Sequence, residues 1–528
     1  MGKNTYDVVL AGGGHNGLIV AAYMAKAGLD VCVVERQDKV GGGAITREWT
    51  LPGFKHDMAS LIHMTIQANP LIHRDELGLQ SKYGLKYIFP DPACAVVFPD
   101  QRALVLYQDF DKTCESIAQF SKKDADVYPR FCEHARTILK AGAASMFSPT
   151  PPFGRMVSFM DQSDGGREYL RTILSSTWDL AGEWFESEQM KIAVARFASE
   201  VMIGPRDKGT GVYMFGFPHF QTWKVAVPEG GSGALSDSLA RCIQDLGGTI
   251  MVSSPIKAIK VEGGEAKGVI LESGEEILAK KAVVSNLNVK QLFLQMTKPE
   301  DLPADFPTRV ERIQQSNFMA MNQAVALNEA PKYKAGKAVD ECFFVEISPF
   351  EEEFLRIFDE YTYGIPSSRM PLLGVASLVD PTRAPEGKHT LYLYHYEPYN
   401  LKDGGPEKWN DIKEKLADDI METVREYTTN MGPENILGRY LFSPLDIEEY
   451  NPAMNNGDIM HIGAYLSQYF SNRPLPGWGQ YRTPVKKLYM CGGSTHPGAG
   501  ISGGGRAATA AIMEDLGLDL RKIIAKKK

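Results

Sequence analysis

The sequence contains few cysteines, and they form no metal-binding or disulfide pattern. The seven cysteines among 528 residues are odd in number, scattered, and never spaced as C-x-x-C. Structural zinc sites and dithiol redox centres need closely spaced ligands of this kind, so neither is expected. We therefore predict no metal site and a reducing, cytoplasmic environment.

The sequence also lacks a long apolar run and an excess of basic residues. No stretch of about 20 residues is free of polar side chains, and the opening MGKNTYDVVL enters a strand pattern instead of a signal peptide. A formal net charge of -8 argues against a nucleic-acid partner. The basic end, RKIIAKKK, is predicted to be a solvated tail, with weak peripheral contact to an anionic membrane as the alternative.

A glycine-rich loop near the start has the pattern of a dinucleotide-binding turn. In YDVVLAGGGHNG, an apolar run is followed by Gly12, Gly14 and Gly17 in the G-x-G-x-x-G spacing. The first glycine permits a tight turn, the second lets a pyrophosphate approach the backbone, and the third lets the next helix pack on the strand. Free amides at the start of that helix attract phosphate. The predicted contacts are Gly12, Gly14, His15, Asn16 and Gly17.

A second strand pattern, DVCVVE, ends in an acid that selects the kind of dinucleotide. Glu35 stands where a carboxylate accepts hydrogen bonds from both ribose hydroxyls, and it would repel a 2′-phosphate. The glycine pair that follows, Gly41 and Gly42, is typical of FAD enzymes that resemble glutathione reductase. The predicted cofactor is FAD, and the predicted contacts in this segment are Glu35, Arg36, Gly41, Gly42 and Gly43.

Segments spread along the chain resemble the phytoene desaturase-like flavoproteins of the amine oxidase-like superfamily. They are YDVVLAGGGHNGL, ERQDKVGGGAITRE, WKVAVPEGGSGALSDSLARCIQDLGGTI, SPIKAIKVEGGEAKGVILESGEEILAKKAVVSN and RPLPGWGQYRTPVKKLYMCGGSTHPGAGISGGGRAA. The nearest branch holds the β-carotene ketolase type and the pyridine nucleotide-disulfide oxidoreductase domain 2 proteins. The resemblance covers most of the chain, and it implies further FAD contacts at Ala59, Ser60, Ile256, Ser285 and Asn286.

The residue patterns and the resemblance together predict an α/β fold in which two domains interleave. Residues 1–75, 225–286 and 469–528 are expected to form a glutathione-reductase-like Rossmann domain that binds FAD, with an antiparallel meander over 249–286. Residues 76–224 and 287–468 are expected to form an α+β substrate domain on a mixed sheet. In the second of these segments, the strand patterns ECFFVEIS and HTLYLYHYEPY accompany a helical pattern.

A second glycine-rich loop lies near the other end of the chain. The strand pattern KKLYMCGG is expected to return beside the N-terminal strand, which would place MCGGSTHPGAGISGGGR at the flavin end of the cofactor. A helix from about Ser502 would then point its positive end at the flavin, where negative charge grows on reduction. The predicted contacts are Gly493, Ser494, Gly500, Ile501 and Ser502.

The predicted reaction removes two hydrogens from a small-molecule substrate and leaves a C=C bond. A hydride would go to flavin N5 and a proton would leave the adjacent carbon. Oxygen or a quinone would re-oxidise the flavin, because no second nucleotide motif follows. The substrate is either a carotenoid-like polyene or a small cyclic ketone or acid. A flavin amine oxidase is the alternative enzyme, and a non-catalytic FAD-binding protein is the alternative of another class.

No catalytic group stands out in the sequence, because a bound flavin carries the redox chemistry itself. Three histidines are the candidates, although each also fits a structural role. His63 follows the stretch expected to pass the flavin ring, His219 lies in the aromatic run YMFGFPHFQTW, and His496 belongs to the terminal loop. The sequence does not indicate an oligomeric state.

Overall fold

The computed structural model describes residues 3–218, 221 and 224–525. The strands are β1 (Thr5–Ala11), β2 (Val31–Val34), β3 (Thr46–Arg47), β4 (His56–Asp57), β5 (Tyr87–Ile88), β6 (Cys94–Val97), β7 (Ala103–Leu106), β8 (Val227–Pro228), β9 (Thr249–Met251), β10 (Ile256–Glu262), β11 (Glu265–Leu271), β12 (Glu276–Ser285), β13 (Met319–Leu327), β14 (Phe344–Ile347), β15 (Leu372–Gly374), β16 (His389–Glu397), β17 (Ile436–Phe442) and β18 (Leu488–Met490).

The α-helices of the described residues are α1 (His15–Lys26), α2 (Pro70–His73), α3 (Phe110–Ala118), α4 (Lys122–Met146), α5 (Phe153–Met160), α6 (Asp164–Leu174), α7 (Thr177–Trp184), α8 (Glu188–Ala198), α9 (Gly233–Asp245), α10 (Phe306–Glu311), α11 (Lys337–Asp340), α12 (Glu351–Thr362), α13 (Trp409–Tyr427), α14 (Pro444–Tyr450), α15 (Gly505–Asp515) and α16 (Leu520–Ala525).

The first sheet is a parallel Rossmann sheet extended by an antiparallel meander. Its seven strands include the path β10-β11-β12-β1-β2-β9, and β18 pairs with the second half of β12. β1 is parallel to β2 on one side and to β12 on the other, so Leu10 lies level with both Val33 and Val284. The predicted α/β fold is therefore confirmed. The meander begins later than predicted, at β10, because Thr249–Met251 forms β9 and pairs parallel with β2.

The terminal strand occupies a different position in the sheet from the predicted one. β18 lies beside β12, with Val284 opposite Tyr489, so β12 separates it from β1. The reason is the length of β12, whose first half pairs with β11 while its second half offers an edge to β18. Because β1, β12 and β18 are parallel, the glycine loops that follow β1 and β18 still emerge at the same edge of the sheet.

Alternation along the strands of the first sheet sends side chains into two separate cores. Val8 and Leu10 face the helices α1, α9 and α15. Val9 and Ala11 face the other way, toward the meander and α10. A strand buried on both faces reads as a continuous apolar run, which is why VVLA identified β1 in the sequence.

The second sheet is mixed, as predicted for the substrate domain. Its order is β17-β13-β16-β15-β14-β6-β7, and its pairs are antiparallel except that β14 runs parallel to β6. One face packs on α13, whose Trp409 is fully buried. The other face carries Phe344, Leu372 and Tyr394 and is turned toward the loops of the first sheet.

The strands of the two sheets come from the segments that the sequence assigned to two domains. β1, β2, β9 to β12 and β18 build the first sheet, and β6, β7 and β13 to β17 build the second. A short pair crosses the division, because Tyr87 of β5 lies opposite Pro228 of β8. The domain boundaries themselves stay a prediction.

The described part of the chain holds no helix with the length and apolar character needed to span a bilayer. The last residues of the basic C-terminal stretch, 526–528, lie outside the described residues. The described part of the stretch is not a free tail, because its first residues belong to α16 and Ile523 is buried in the core of the first sheet.

Candidate active site

A cavity of about 730 Å³ lies between the two sheets. Loops at the carboxyl ends of β1, β2 and β12 form one end, and α8, β14, β15 and β16 form the other. In open parallel sheets, ligands bind in crevices at this strand edge. The residues predicted from the sequence that line the cavity are Gly12, Gly14, His15, Asn16, Glu35, Arg36, Gly42, Gly43, Ala59, Ser60, Ile256, Asn286, Gly493, Gly500 and Ile501.

The other predicted contacts lie behind the cavity wall, and two of them shape the first loop. A Cβ at Gly17 would lie 2.7 Å from the carbonyl oxygen of Gly12, so glycine lets α1 approach the end of β1. The amide of Gly41 donates a hydrogen bond of 2.9 Å to the carbonyl oxygen of Gly13. Both glycines therefore hold the loop in shape from behind.

The remaining predicted contacts behind the wall are three serines. The hydroxyl oxygen of Ser285 accepts a hydrogen bond of 3.2 Å from the amide of Leu287. The hydroxyl oxygen of Ser494 accepts one of 3.1 Å from the amide of Val289. Ser502 is buried as well. Ser285 and Ser494 thus tie the ends of β12 and β18 to the segment after β12.

The first glycine loop packs against Asn286 so closely that Gly14 has no room for a side chain. A Cβ built at Gly14 would lie 2.4 Å from Nδ2 of Asn286, so any residue other than glycine would displace the Asn286 side chain. Gly14 is also the N-cap of α1, so the first amides of that helix have no side-chain cap. A helix N-terminus of this kind attracts phosphate through its free N–H groups and its partial positive charge.

Glu35 closes the first loop and faces the cavity. Its Oε2 accepts a hydrogen bond of 2.7 Å from the amide of Gly13, and its Oε1 accepts one of 2.8 Å from the amide of Gln37. Burial raises the pKa of Glu35, and the hydrogen bonds from these amides oppose that shift. The carboxylate is thus fixed in orientation, and each oxygen keeps a further lone pair for a ligand hydroxyl.

The terminal loop meets the first loop, but its helix begins later than predicted. Gly503 has a φ of +72°, which breaks the helical run after Ser502, and α15 begins at Gly505. The amide of Gly505 donates a hydrogen bond of 2.9 Å to Oδ1 of Asn16. This amide is therefore occupied by the first loop, and the parts of the terminal loop that reach the cavity are Gly493 and the stretch 499–501.

The histidine candidates lie away from the cavity wall or outside the described residues. His63 is fully buried, with Nε2 2.7 Å from the hydroxyl of Ser232 and Nδ1 3.2 Å from the hydroxyl of Tyr87. Burial lowers the pKa of His63 to about 3. His496 is also buried, and its carbonyl oxygen accepts a hydrogen bond of 3.1 Å from Tyr481. His219 lies outside the described residues.

A buried arginine holds the start of the terminal loop. Arg473 has no solvent exposure, and its Nε and Nη2 donate to the carbonyl oxygen of Gly493 at 3.1 and 2.7 Å. The guanidinium also donates to the carbonyl oxygens of Met460 at 2.8 Å, Ile462 at 3.2 Å and Gly463 at 3.3 Å. It therefore joins two stretches of chain that both reach the cavity.

Arg473→Lys is expected to weaken FAD binding by about tenfold or more. A lysine carries its donors at one point and cannot bridge these carbonyls. Each hydrogen bond to a charged group that is lost costs about 1.5–3 kcal/mol, and about 1.4 kcal/mol corresponds to tenfold in affinity. The measurement is FAD retained on ultrafiltration over a range of protein concentrations. The control is Arg482→Lys at a half-exposed pair with Asp515, and equal retention by both variants would contradict this role.

Several residues that line the cavity were not predicted from the sequence. Burial lowers the pKa of His461 to about 3, its ring packs against Gly493, and its Nδ1 has no hydrogen-bond partner within the described residues. Glu200 and Glu346 bring carboxyl groups to the far end. Only Glu346 carried a sequence signal, as a charged residue within the apolar run CFFVEI.

The end of the cavity near the first loop fits FAD on three observations. Gly14 lines the cavity without a side chain, at the uncapped N-terminus of α1. Glu35 presents oriented acceptors to the cavity. The Nε2 atom of His15 is buried without a hydrogen-bond partner in the described chain. A polar atom of this kind is rare in a protein interior unless a ligand or water satisfies it.

Comparisons with known proteins agree with this assignment. The model of the flavin containing amine oxidoreductase family matches residues 17–512. Pyridine nucleotide-disulfide oxidoreductase domain-containing protein 2 of Rattus norvegicus is 30% identical, over 97% of this chain and 94% of its own. A limonene dehydrogenase polypeptide of Castellaniella defragrans is 27% identical, over 97% and 95%. The lycopene-forming phytoene desaturase of Pantoea ananas is 25% identical, over 96% and 98%.

A solved structure shows the same fold. Cyclohexylamine oxidase from Brevibacterium oxydans matches with a TM-score of 0.60 at 15% identity, over 97% of this chain and 99% of its own. The fold and the cavity define a flavoprotein oxidoreductase. The chain belongs to the flavin-containing amine oxidoreductase family, and its cofactor is FAD. This confirms the predicted cofactor and the resemblance, and family membership supports an enzyme over a non-catalytic FAD-binding protein.

Proposed function

We propose that the chain is an FAD-dependent dehydrogenase that desaturates a compact, largely apolar substrate carrying a carbonyl or carboxyl group. The observation that carries this proposal is the far end of the cavity. There, side chains of α8 and the second sheet form an apolar wall that is continuous with the end that fits FAD. The wall includes Phe197, Phe344, Leu372, Tyr392 and Tyr394.

In this proposal the two glycine loops hold the two halves of FAD. The stretch Gly12 to Asn16 would receive the pyrophosphate, Glu35 would accept the ribose hydroxyls, and Ile256 would contact the adenine side. Gly493 and Gly500 would contact the flavin half. Bound FAD supplies the oxidation by accepting a hydride from a substrate carbon. The apolar wall would exclude water and orient the substrate beside the cofactor.

The volume of the cavity favours a compact substrate over a long polyene. About 730 Å³ has to accommodate both FAD and the substrate. Pockets for a single drug-sized ligand already occupy roughly 300–1,000 Å³. A relative named for limonene, a small cyclic hydrocarbon, supports the compact class, although another relative is named for phytoene, which is a polyene.

Amine oxidation is the second candidate function, and an aromatic pair favours it. The rings of Tyr392 and Tyr394 stack with their centroids 5.9 Å apart and an interplanar angle of 18°. The carboxyl group of Glu200 lines the same part of the cavity. Aromatic faces and a carboxylate together suit a cationic amine. Most of the wall is apolar, which is why desaturation is the first proposal.

A panel of substrates tests the proposed function. The purified holoprotein is mixed without oxygen with cyclohexanone, cyclohexanecarboxylic acid, limonene, cyclohexylamine or detergent-dispersed phytoene. We expect cyclohexanone or the acid to bleach the visible flavin band and to yield a product that is two hydrogens lighter and contains a C=C bond. Bleaching by the amine alone would favour amine oxidation. If none of the compounds bleaches the flavin, both proposals are wrong.

The electron acceptor is tested on the same material. Oxygen or a quinone is proposed to re-oxidise the flavin. After reduction by an active substrate, the return of the visible band is timed with air-saturated buffer and with a soluble benzoquinone. The acceptor that restores the visible flavin band faster at equal concentration identifies the class of electron acceptor. If neither oxygen nor the benzoquinone restores the band, the proposal is wrong.

A further inference from the structure

Two carboxyl groups, those of Glu200 and Glu346, reach the largely apolar end of the cavity. Glu346 lies on β14, in register with Leu372 of β15, which in turn lies opposite Tyr394 of β16. All three side chains line the cavity. Because side chains alternate along a strand, Val345 points to the core on the opposite face. The register of the second sheet therefore fixes Glu346 on the substrate side.

A neighbouring arginine is already paired with another carboxylate. Arg196 of α8 has no solvent exposure, and its Nη1 donates a hydrogen bond of 2.9 Å to Oε1 of Glu200. The hydroxyl of Tyr396 donates to the same oxygen at 2.6 Å. The guanidinium also lies over the Tyr396 ring, 4.0 Å from its centroid. Within the described residues, the Glu346 side chain accepts no hydrogen bond, so its carboxyl oxygens are available to a ligand.

The surroundings of Glu346 bring its titration into the neutral range. Burial raises the pKa of Glu346 to about 7, with a smaller opposing effect from Arg196 and a smaller raising effect from Glu200. The other titratable side chains near it are Cys94 of β6 and both Tyr394 and Tyr396 of β16. Two carboxyl groups beside one buried guanidinium thus have different roles, since Glu200 forms the ion pair and Glu346 can exchange a proton.

We propose that Glu346 is the catalytic base that removes the α-proton of a carbonyl-containing substrate. This inference rests on the proposed function. The α C–H bond breaks and its proton goes to a Glu346 oxygen. The electron pair of that bond would become the second bond of the C=C. Bound FAD would supply the oxidation by taking the β-hydrogen together with its electron pair. The substrate loses two electrons and two hydrogens, and Glu346 then releases its proton to water.

Proton exchange without net oxidation tests the base directly. The holoprotein, with its flavin chemically reduced under anaerobic conditions, is incubated with cyclohexanone in D2O, and α-deuterium incorporation is followed by NMR. We expect exchange above the buffer background that increases as pH rises through about 7. Glu346→Gln should lower the protein-catalysed rate by about 10²–10⁴-fold. Glu346→Asp should retain part of the rate and its pH dependence. The control is Glu352→Gln, at an exposed position on α12.

The outcomes separate this inference from the proposed function. Flavin bleaching by cyclohexanone together with unchanged exchange in Glu346→Gln would overturn the role of Glu346 and leave the desaturase proposal standing. Exchange that depends on Glu346 without any bleaching would support the base and contradict desaturation. Absence of exchange in the unsubstituted protein would overturn the inference.

A stability measurement checks the ionisation of Glu346 without substrate. The folded pKa of about 7 lies above the ordinary value of 4.5. The folded state therefore keeps a proton that the unfolded chain has lost, and this stability is present below about pH 4.5 and lost as pH rises through about 7. Relative to Glu346→Gln, the unsubstituted protein should lose melting temperature over this window. A difference in melting temperature that is constant with pH would contradict the assigned ionisation.

Discussion

Replacing Gly14 with valine is expected to yield a folded protein that retains almost no FAD. A Cβ at this position would lie 2.4 Å from Nδ2 of Asn286, and valine adds two methyl groups beyond it. Asn286 cannot easily move away, because it also packs against Gly17 and Gly492. Overpacking of this kind typically costs about 1–3 kcal/mol. The added side chain also occupies the cavity where the pyrophosphate would approach the first amides of α1.

The measurement is the ratio of visible flavin absorbance to protein absorbance after purification, followed by titration with FAD. We expect a loss of FAD affinity of more than about tenfold, which corresponds to about 1.4 kcal/mol. The matched control is Gly182→Val in α7, where glycine is exposed and a Cβ would meet nothing within 4 Å. A Gly14→Val protein with the flavin content of the control would show that the pyrophosphate lies elsewhere.

The sequence predicts those parts of the fold that short, contiguous residue patterns determine. The turn at Gly12 to Gly17, the acid at Glu35 and the meander each have a spacing that follows from backbone geometry. The structure has the loop and the acid at these positions, and the meander from Ile256 onward. The order of the strands in the first sheet could not be predicted in this way. The neighbour of β18 depends on how far β12 extends past β11, and no local pattern records that length.

The candidate site divides in the same way. Its cofactor end is formed by a few loops, each of which is a continuous stretch of sequence with a recognisable motif. Most of the residues at that end could therefore be predicted. Its substrate end is assembled from side chains far apart in the sequence, such as Glu200 and Glu346. Their proximity depends on cross-strand register and on the packing of α8, which single-sequence patterns do not specify. The helix at Gly505 was predicted too early for a local reason, because the glycine at 503 takes a left-handed conformation.

A buried ion pair connects the two predicted domains, and we expect its loss to destabilise the fold strongly. Oδ2 of Asp57 lies 2.8 Å from Nη2 of Arg383, and neither side chain has more than 1% exposure. Oδ1 of Asp57 also accepts hydrogen bonds from the amide of Ser232 at 2.9 Å and the hydroxyl of Thr46 at 2.5 Å. Arg383 in turn donates from Nε to the carbonyl oxygen of Lys55 at 3.0 Å.

Asp57→Asn is expected to lower the free energy of unfolding by about 3–5 kcal/mol, because it leaves the Arg383 guanidinium buried without a counter-charge. The new amide would also direct a donor at a group that already donates. The measurement is the urea midpoint followed by tryptophan fluorescence, with Glu186→Gln at the exposed pair with Lys123 as control, for which we expect no more than about 1 kcal/mol.

The double variant Asp57→Asn with Arg383→Met distinguishes an unpaired charge from simple loss of packing. Removing both charges eliminates the uncompensated guanidinium, so the double variant should be more stable than the sum of the two single losses predicts. If the two single losses in free energy of unfolding add up to that of the double variant, Asp57 and Arg383 act independently. The apolar contacts around them would then have to hold the two sheets together. β4 carries Asp57 and is followed directly by Ala59 and Ser60 on the cavity wall. A disturbance at Asp57 should therefore reach the cavity, and we expect the single variants to release FAD at lower urea concentrations than those at which they unfold.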